Sequence, residues 1–343
     1  MTADEAVALS LVPDLPRVGL TERLYAGDPA LVEAASRRRR EAGAVRRRAA
    51  AQGIGVVAWN DARFPAALLA TSDMPPALWY RGALDAFAAP AVAIVGSRAA
   101  SAVALEIAAR LAADLAARGI VVVSGLARGV DSAAHRGALR AGRTIAVLGS
   151  GVDRVYPSEH ARLADEIVRE GLVVSEYPPG TPPLAFHFPM RNRLISGLSR
   201  AVVVVEASER SGSLITAACA LEQGREVMAV PGNVLSGRNR GAHALIRDGA
   251  KIVECADDIV DDLGWAAAPA APAATASTDS PVTGSGDPLL QLMRAGEAYD
   301  LDGLARSAGV AAARLLPRLL ELELQGLVQR IEGGRFMRPM RTC

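Results

Sequence analysis

Residues 187–217 decide the fold, and they read HFPMRNRLISGLSR (187–200), AVVVVEA (201–207) and SERSGSLITA (208–217). The centre of this stretch, residues 201–205, is a short β-branched run of the kind that forms a strand buried on both faces of a parallel sheet. Two arginines that flank an asparagine precede the strand, and a Gly/Ser-rich turn after it opens an Ala-rich helix at Ser213. Backbone N–H groups and the positive end of a helix therefore meet at one point, which favours binding of a phosphate or another anion.

The same alternation of strands and helices extends on both sides of this stretch, from residue 88 to residue 263. Strands are predicted at 91–95, 120–123, 144–148, 172–175 and 226–230, with helices at 100–118, 132–141 and 158–170 between them. Glycine and serine recur directly after the strands, where open α/β sheets bind their ligands. We therefore predict an α/β fold with a wound, mostly parallel sheet.

Length and composition set broad limits on the protein. Its 343 residues favour two or three domains, and the low aromatic share of 4% indicates a core of Ala, Val, Leu and Ile. The net charge of +1 means that any basic site is local. Three widely spaced cysteines, Cys219, Cys255 and Cys343, match neither a disulfide framework nor a zinc site. No apolar run reaches transmembrane length, so we expect a cytoplasmic protein that does not enter the membrane.

Both ends of the chain differ from this core. Residues 1–87 favour helices, a short strand at 54–58 and two Pro-containing turns. Their basic run at 37–48 is more simply a solvated helix face than a surface that tracks phosphates. Residues 264–286 are mostly Ala, Pro, Thr, Ser and Gly, which is typical of a flexible linker. Beyond them, helices at 288–293, 301–308 and 311–324 and a hairpin with a Gly333-Gly334 turn indicate a winged-helix module, 287–343.

Four arginines are expected in loops at strand ends or helix starts: Arg98, Arg128, Arg191 and Arg193. Guanidinium groups suit phosphate, and the small residues between these arginines let backbone amides approach it. In the alternative interpretation, some of the arginines fix loop geometry by pairing with a carboxylate, namely Asp131, Glu176 or Glu206. Because four arginines are not expected to converge by chance, we favour an anion-binding cleft.

This cleft is expected to bind rather than to react. The GSR at 96–98 lacks the G-x-G-x-x-G spacing, and Ser124 stands where a nicotinamide enzyme would have an acidic residue for the ribose. The sequence contains no G-x-S-x-G, no HExxH, no Walker A lysine and no carboxylate pair at a strand end. We therefore predict no catalytic residue, cofactor or metal. Phe186 and Phe188 could either stack on bases or fill the core.

Seven motifs follow one another in the order of a known family: GSR (96–98), SGLARGVD (124–131), GSGVDRVYP (149–157), SEYPPG (175–180), FPMRNRLISG (188–197), SGSLIT (211–216) and VPG (230–232). Together they resemble the motif series of the DNA-processing protein A family, also called DprA or Smf, over residues 60–263. The resemblance implies an extended Rossmann-like wound parallel sheet at 88–263. It also implies a helical N-terminal module of the SAM or helix-hairpin-helix kind at 1–87, and the winged helix at 287–343.

The resemblance implies a function as well. A member of this family is expected to be a non-enzymatic protein that binds single-stranded DNA, protects incoming DNA, forms a homodimer and loads the RecA recombinase during natural transformation. By motif position, the DNA site would contain Gly96, Ser97, Arg98, Ser124, Gly125, Arg128, Gly129, Arg191, Asn192, Arg193, Ser211, Gly212 and Ser213. The residues alone support phosphate-binding arginines in a cleft, and they leave open whether the ligand is a nucleic-acid strand or a free nucleotide.

The sequence departs from the family pattern at two places. His243 stands where we expect asparagine, in the loop SGRNRGAHALIRDG (236–249). The predicted recognition helix, residues 311–324, offers Arg314 and Arg318 but none of the Asn, Gln or Ser side chains that read base edges. We therefore expect the C-terminal module to contact protein or the rest of the chain more than duplex DNA. The same helix disfavours a transcription factor.

A phosphoribohydrolase-like nucleotide enzyme on the same Rossmann core is the alternative function. That class resembles the pattern P-G-G-x-G-T-x-x-E, in which the glutamate serves the chemistry. The corresponding place here is SGSLITA at 211–217, which has no glutamate four residues beyond the glycines, and Glu222 lies too far along the helix. The sequence therefore favours the binding protein.

Overall fold

The computed structural model describes residues 2–13, 15–17, 19–265, 288–293, 298–310, 312–324, 327–331 and 335–338. By its internal contacts the chain divides into two units, residues 1–273 and 274–343, and each is described by itself. In the part of the chain that the structure describes, no helix is long and apolar enough to cross a membrane.

The first unit contains eleven α-helices and nine strands among its described residues. The helices are α1 (Ala3–Leu9), α2 (Leu20–Ala26), α3 (Pro29–Ala50), α4 (Ala66–Leu69), α5 (Ala102–Ala117), α6 (Val130–Ala138), α7 (Ala161–Glu170), α8 (His187–Gly197), α9 (Ser213–Glu222), α10 (Arg240–Arg247) and α11 (Ala256–Asp262). The strands are β1 (Gly55–Ala58), β2 (Ala77–Gly82), β3 (Ala91–Val95), β4 (Val121–Ser124), β5 (Thr144–Val147), β6 (Leu172–Ser175), β7 (Ala201–Val204), β8 (Glu226–Ala229) and β9 (Lys251–Ile252).

These strands form one sheet in the order β1-β2-β6-β5-β4-β3-β7-β8-β9. All neighbours from β6 to β9 are parallel, whereas β1 and β2 are antiparallel to each other, and β2 is antiparallel to β6. The predicted wound, mostly parallel α/β fold is therefore confirmed. The strand order runs outward from β3 in both directions, so the loops after β3, β4 and β7 meet at the switch point of the sheet.

Apolar clusters cover both faces of this sheet, because its central strands are buried along their whole length. On one side, for example, Val123, Val147 and Val204 pack with α8 and α9, and on the other Val122 and Val203 pack with α5 and α6. Runs of Val and Ile suit strands that are covered on both faces.

The N-terminal helices share a core with the sheet. Leu9, Leu24 and Leu31 lie in the same buried cluster as Trp79 of β2 and Leu148, which directly follows β5. The expected boundary between residues 87 and 88 therefore falls inside one packed unit, and the sheet itself begins at residue 55.

Two segments differ from the sequence-based expectation. Residues 77–82, expected in a Pro-containing turn, form β2, whose residues Ala77, Leu78 and Trp79 are buried. Arg191 and Arg193, expected in a loop, lie in the middle of α8. Pro189 does not prevent this helix because it occupies the first turn, where its missing N–H has no intrahelical partner to lose.

The basic run lies on α3 and faces solvent. Arg37 pairs with Glu33 one turn away, and Arg38 donates to Glu41 at 2.9 Å. Arg46 reaches Asp4 of α1. These contacts are those of a solvated helix face with local ion pairs, as the simpler interpretation predicts.

The second unit contains three helices and a three-stranded sheet among its described residues. The elements are α12 (Pro288–Leu292), β10 (Ala298–Tyr299), α13 (Leu301–Ala308), α14 (Ala312–Leu324), β11 (Gln329–Ile331) and β12 (Arg335–Met337). The sheet order is β10-β12-β11, and β11 and β12 pair as an antiparallel hairpin. This is the order of elements that the sequence predicts for a winged helix. The predicted Gly333-Gly334 turn and residues 266–286 of the predicted linker lie outside the described residues.

Candidate functional site

A cavity of about 410 Å³ lies where the loops after β3, β4 and β7 meet α8 and the start of α9. We call it the strand-end cavity. Its lining residues are Val95, Gly96, Ser97, Arg98, Ala127, Asp131, Phe188, Pro189, Arg191, Asn192, Ile195, Ser208, Ser211, Gly212, Ser213, Ile215 and Thr216. The structure thus brings together eight of the thirteen predicted site residues. Ser124, Gly125, Arg128, Gly129 and Arg193 do not line it.

The loop after β3 is held close to the start of α6. A Cβ atom on Gly96 would come within 2.6 Å of Val130 Cγ2, and a Cβ on Gly129 would come within 2.1 Å of the Ser97 carbonyl oxygen. The Ser97 N–H donates to the Glu206 carbonyl at 2.7 Å. Glycine at 96 and 129 therefore permits a close approach of two loops, which fixes where Arg98 leaves the backbone.

Arg98 is the exposed cation of this cavity. Its guanidinium carbon lies 5.7 Å from the centre of the Phe188 ring, at cation–π distance. The Phe188 ring in turn packs against Tyr156, with ring centres 5.4 Å apart, and 45% of Tyr156 is exposed. Arg98, Phe188 and Tyr156 therefore form a row of contacts, of which Arg98 and Phe188 line the cavity.

The turn before α9 supplies the opposite wall. The hydroxyl oxygens of Ser211 and Ser213 are 2.7 Å apart, and the side chain of Asn192 donates to the Gly212 carbonyl at 3.3 Å. A Cβ built on Gly212 would meet nothing within 4 Å, so this side of the turn is open. Hydroxyl groups and the N-terminus of a ten-residue helix therefore face open space, which is a suitable environment for a phosphate.

Arg191 has a different role from Arg98 because it is only 3% exposed. Its Nη1 donates to the carbonyl oxygens of Gly125, at 2.8 Å, and Val147. Burial lowers the pKa of Arg191 to about 10, although the nearby carboxylate of Asp131 opposes this effect. Arg191 therefore ties the ends of β4 and β5 together and adds positive charge to the floor of the cavity.

The residues that follow β4 support the site from behind. Ser124 donates to the Ile94 carbonyl at 2.7 Å and so joins β4 to β3. The N–H groups of Gly125 and Ala127 donate to the Asp131 carboxylate at 3.0 and 3.3 Å. Burial raises the pKa of Asp131, while Arg191 and these N–H groups oppose the increase. The two predicted site residues Ser124 and Gly125 therefore shape the loop and do not line the cavity.

The four arginines do not converge as expected. Arg128 makes a bidentate contact with Glu159, with both N–O distances at 2.8 Å. Arg193 pairs with Glu176 at 2.6 Å and with Asp73 at 3.1 Å. Residues two apart on an α-helix project about 200° from each other, so Arg191 and Arg193 of α8 point to opposite sides. Pairing of Arg193 with Glu176 is the alternative that the sequence left open.

Sequence reasoning missed Tyr156, which packs against the cavity residue Phe188. Its signal was an aromatic residue directly before Pro157, in the loop that follows β5 and contains the GSGVDRVYP motif. Of the two phenylalanines considered for stacking, only Phe188 lines the strand-end cavity, since Phe186 contacts the edge of the His187 ring and lines another cavity. His243 lies outside as well, with its Nε2 3.1 Å from the Gly232 carbonyl oxygen.

Sequence comparison agrees with the motif series. A family model described as DNA recombination-mediator protein A matches residues 55–264, and one described as DprA winged helix domain matches residues 267–334. Protein Smf of Escherichia coli is 44% identical over 285 residues, which cover 82% of this chain and 76% of that protein. DNA processing protein DprA of Streptococcus pneumoniae is 49% identical over 192 residues, which cover 56% of this chain and 68% of that protein.

Two solved structures resemble the chain closely enough to support the fold. The X-ray structure of DNA processing protein A from Streptococcus pneumoniae has a TM-score of 0.68 at 37% identity, and covers 76% of this chain and 98% of that one. A structure of DNA processing protein A from Helicobacter pylori, described by its single-stranded DNA binding mode, has a TM-score of 0.56 at 29% identity, and covers 61% and 95% of the two chains. These matches confirm the Rossmann-like core with a C-terminal winged-helix domain.

Proposed function

Because this chain belongs to the DNA recombination-mediator protein A family, we propose that it binds single-stranded DNA in the strand-end cavity. The observation that carries the proposal is the pairing of exposed Arg98 with the Phe188 ring, opposite the serine turn of α9. Phosphate and base are two of the three parts of every nucleotide, and this cavity offers a surface for each. The Helicobacter pylori relative, described as binding single-stranded DNA, supports the same ligand class.

The geometry favours backbone binding with base stacking over reading of sequence. Arg98 and the hydroxyl groups of Ser211 and Ser213 would hold phosphates, while Phe188 and Tyr156 would stack on unpaired bases. A paired base inside a duplex does not offer its face to such a ring. Single strands should therefore bind more tightly than duplexes, with little dependence on sequence.

The proposed activity is binding without catalysis. Of the described residues that line the strand-end cavity, only Asp131 carries a carboxylate, and it is buried and accepts two backbone N–H groups. Glu222, the nearest acidic residue after the serine turn in the sequence, lines a different cavity. This arrangement supports a binding protein over the phosphoribohydrolase-like alternative, which needs a glutamate at the reacting bond.

The test is fluorescence anisotropy of a labelled oligo-dT and a matched duplex over a salt series. For Arg98→Ala we expect weaker binding of oligo-dT and a salt slope shallower by about 0.7, because one phosphate contact is lost. For Phe188→Ala we expect about tenfold weaker binding or more from lost stacking. Arg128→Ala is the matched control, since Arg128 pairs with Glu159 outside the cavity.

Three outcomes would contradict the proposal. They are tighter binding of the duplex, equal losses in Arg98→Ala and Arg128→Ala, and no binding of oligo-dT at low salt. Hydrolysis of a nucleotide by the pure protein that disappears in Arg98→Ala would instead favour the enzyme.

The wider role that we propose is protection of incoming DNA and loading of RecA in the cytoplasm during natural transformation, with the protein acting as a homodimer. The description of the family as a recombination mediator supports this role. The exposed edge strand β9, with Ile252 half exposed, offers a sheet edge for a second copy. We expect the protein to sediment as a dimer and to accelerate RecA assembly on single strands coated with a single-strand-binding protein. A monomer without this effect would contradict the role and leave DNA binding intact.

A further inference from the structure

A second cavity, of about 370 Å³, lies on the other side of α8 and within the first unit. We call it the N-terminal cavity because Leu9, Leu15, Leu20 and other described residues near the start of the chain form one of its walls. Its walls are mostly apolar, with Leu9, Leu15, Pro76, Leu184 and Met190 among them. The volume is in the range of small-molecule sites, which combine apolar walls with a few polar groups.

The polar part of this cavity is a cluster of two arginines and a glutamate. Glu176 Oε2 accepts from Arg193 Nη2 at 2.6 Å and lies 3.3 Å from Arg17 Nη2. Four atoms of this cluster are buried without a hydrogen-bond partner, and one of them, Arg193 Nε, lies 3.1 Å from Asp73 Oδ2. The other three are Arg17 Nη1, Glu176 Oε1 and Arg193 Nη1. Since buried polar groups are nearly always paired in folded proteins, these three atoms indicate a missing partner.

The three atoms define which partner fits. Because Glu176 contacts both guanidinium groups, the order of these contacts from Arg17 through Glu176 to Arg193 assigns the unpaired atoms as donor, acceptor, donor. The complementary ligand edge is acceptor, donor, acceptor. Asp73, 3.1 Å from Arg193, balances the second positive charge, so the cluster calls for a neutral group rather than an anion.

The edge that carries this pattern is the imide of thymine or uracil, in which an N–H lies between two carbonyl groups. Guanine has one acceptor followed by two donors, while cytosine and adenine place a ring nitrogen acceptor in the middle. The rings of Tyr177 and His187 stack at 3.9 Å beside the cluster, with Phe186 against the His187 edge, so planar surfaces are at hand. We infer that the N-terminal cavity binds a thymine or uracil base through this imide edge.

A ligand reaches the cluster through Arg17, whose side chain is 22% exposed and is the most accessible of the three. The proposed binding requires a rotation of Arg17 that uncovers Glu176 Oε1, which is buried in the structure. The base has two possible sources, a free nucleoside or a bound strand. Neighbouring residues of α8 connect the two sites, since Pro189 lines the strand-end cavity and Met190 lines the N-terminal cavity.

The test uses the full chain and ligand-observed NMR titrations with thymidine, uridine, cytidine and N3-methylthymidine. We expect thymidine and uridine to bind, and N3-methylthymidine and cytidine to bind about tenfold more weakly or worse. The methyl group removes the central donor, and a site with buried polar groups rejects a ligand that leaves them unpaired. Cytidine should bind weakly because the middle atom of its base edge is an acceptor rather than a donor.

Variants locate the site. Leu184→Trp, at a position 40% exposed on the rim, should block thymidine binding without disturbing the buried cluster. Val103→Trp, on the exposed face of α5, is the matched control. Arg98→Ala should leave thymidine binding unchanged while it weakens binding of oligo-dT, which separates this site from the proposed function.

Each outcome decides the inference. No thymidine binding at millimolar concentration, equal binding of N3-methylthymidine, or a loss in Arg98→Ala without a loss in Leu184→Trp would overturn it. If thymidine binds, competition with oligonucleotides shows whether the base comes from a bound strand or from a free nucleoside. Displacement by oligo-dT but not by oligo-dA means that a base of the bound strand enters the cavity, and no displacement by either means a free nucleoside.

Discussion

At the residue scale, the environment of each arginine decides what it can do. Arg98 is exposed and contacts an aromatic ring, and Arg128 is exposed and pairs with Glu159. Arg191 is buried and donates to carbonyl oxygens. Arg193 is buried in an ion-pair cluster. An exposed guanidinium can exchange water for a phosphate at little cost, whereas a buried one would leave its carboxylate or carbonyl partner unpaired.

The Arg193→Ala substitution should therefore destabilise the protein. It removes the 2.6 Å contact to buried Glu176 and the contact to Asp73, and breaking a buried ion pair typically costs about 3–5 kcal/mol. Because Arg17 still contacts Glu176, we expect the lower end of this range. Urea unfolding measures the change, and Arg128→Ala is the exposed control with little expected effect. Equal stability of the two variants would contradict the buried cluster.

A buried histidine should make the stability depend on pH. His135 is fully buried, its Nδ1 lies 2.7 Å from Thr144 Oγ1, and burial lowers its pKa to about 3. Below pH 6.5 the unfolded chain protonates this histidine while the folded chain does not. His135 therefore contributes full stability above pH 6.5, and the contribution declines as pH falls toward 3, by roughly 1.4 kcal/mol per pH unit.

The measurement compares urea unfolding of the wild type and His135→Asn from pH 7.5 to 4.5. Asp131 and His187 are present in both proteins, so the difference between the two curves isolates His135. We expect the wild type to lose stability faster than the variant as pH falls. Parallel curves would show that His135 is protonated in the folded state.

At the residue scale the sequence predicted the chemistry of the site better than its geometry. Gly96, Ser97, Arg98, Asn192 and the serine turn line the strand-end cavity, as their motif positions imply. Arg193 does not, because the direction of a side chain depends on the helix that carries it. Without α8 in the prediction, Arg191 and Arg193 could not be assigned to opposite sides.

At the element scale, strands were predicted more reliably than the segments between them. The predicted bounds 91–95 and 172–175 are those of β3 and β6, since short β-branched runs between turn residues have few other solutions. The sequence did not predict helix α8 because Pro189 and the basic residues of the helix obscure its apolar periodicity. The sequence did not predict strand β2 because it directly follows two prolines. It also pairs antiparallel with β6 and so does not belong to the alternation of parallel strands and helices.

Replacement of glycine by alanine should change the stability of the protein in opposite directions in two helices. In α6, a Cβ on Gly137 would come within 2.0 Å of the Ala109 carbonyl oxygen of α5, so Gly137→Ala should cost about 2–3 kcal/mol through forced separation of the helices. In α3, Gly43 has only the flexible Arg47 side chain nearby, at 3.6 Å. Gly43→Ala should therefore stabilise the protein by about 0.5–1 kcal/mol.

Thermal and urea unfolding of both variants check this pair. We expect the two changes in the free energy of unfolding to have opposite signs. The substitution is the same in both helices, and only the surroundings of the glycine differ. Destabilisation in both would mean that Gly43 also has a packing role.

At the scale of the whole molecule, the strand-end cavity is built entirely from residues 95–216, within the first unit. In the second unit, α14 exposes Leu316 and Leu320 one turn apart, and its Arg318 pairs with Glu321. Exposed leucines beside exposed charged residues on this helix leave contact with protein or with the rest of the chain as the prediction for this module.

A chain that ends after residue 265 should therefore keep its affinity for oligo-dT within about threefold, since each phosphate and stacking contact that we propose is retained. Anisotropy titrations of the full and shortened chains provide the measurement. The full chain should bind duplex DNA no more tightly than the shortened chain does. A tenfold loss of oligo-dT binding on shortening would place part of the site in the second unit.

The antiparallel pairing of β2 with β6 has a consequence for synthesis of the protein. Strand β2 ends at Gly82, and its partner begins at Leu172, so about 90 residues must be translated before the ladder can form. At elongation rates of about 5–20 residues per second this takes on the order of ten seconds. During that interval Trp79, fully buried in the finished fold, can be covered only by the N-terminal helices and β1, and its packing within the complete sheet waits for β6.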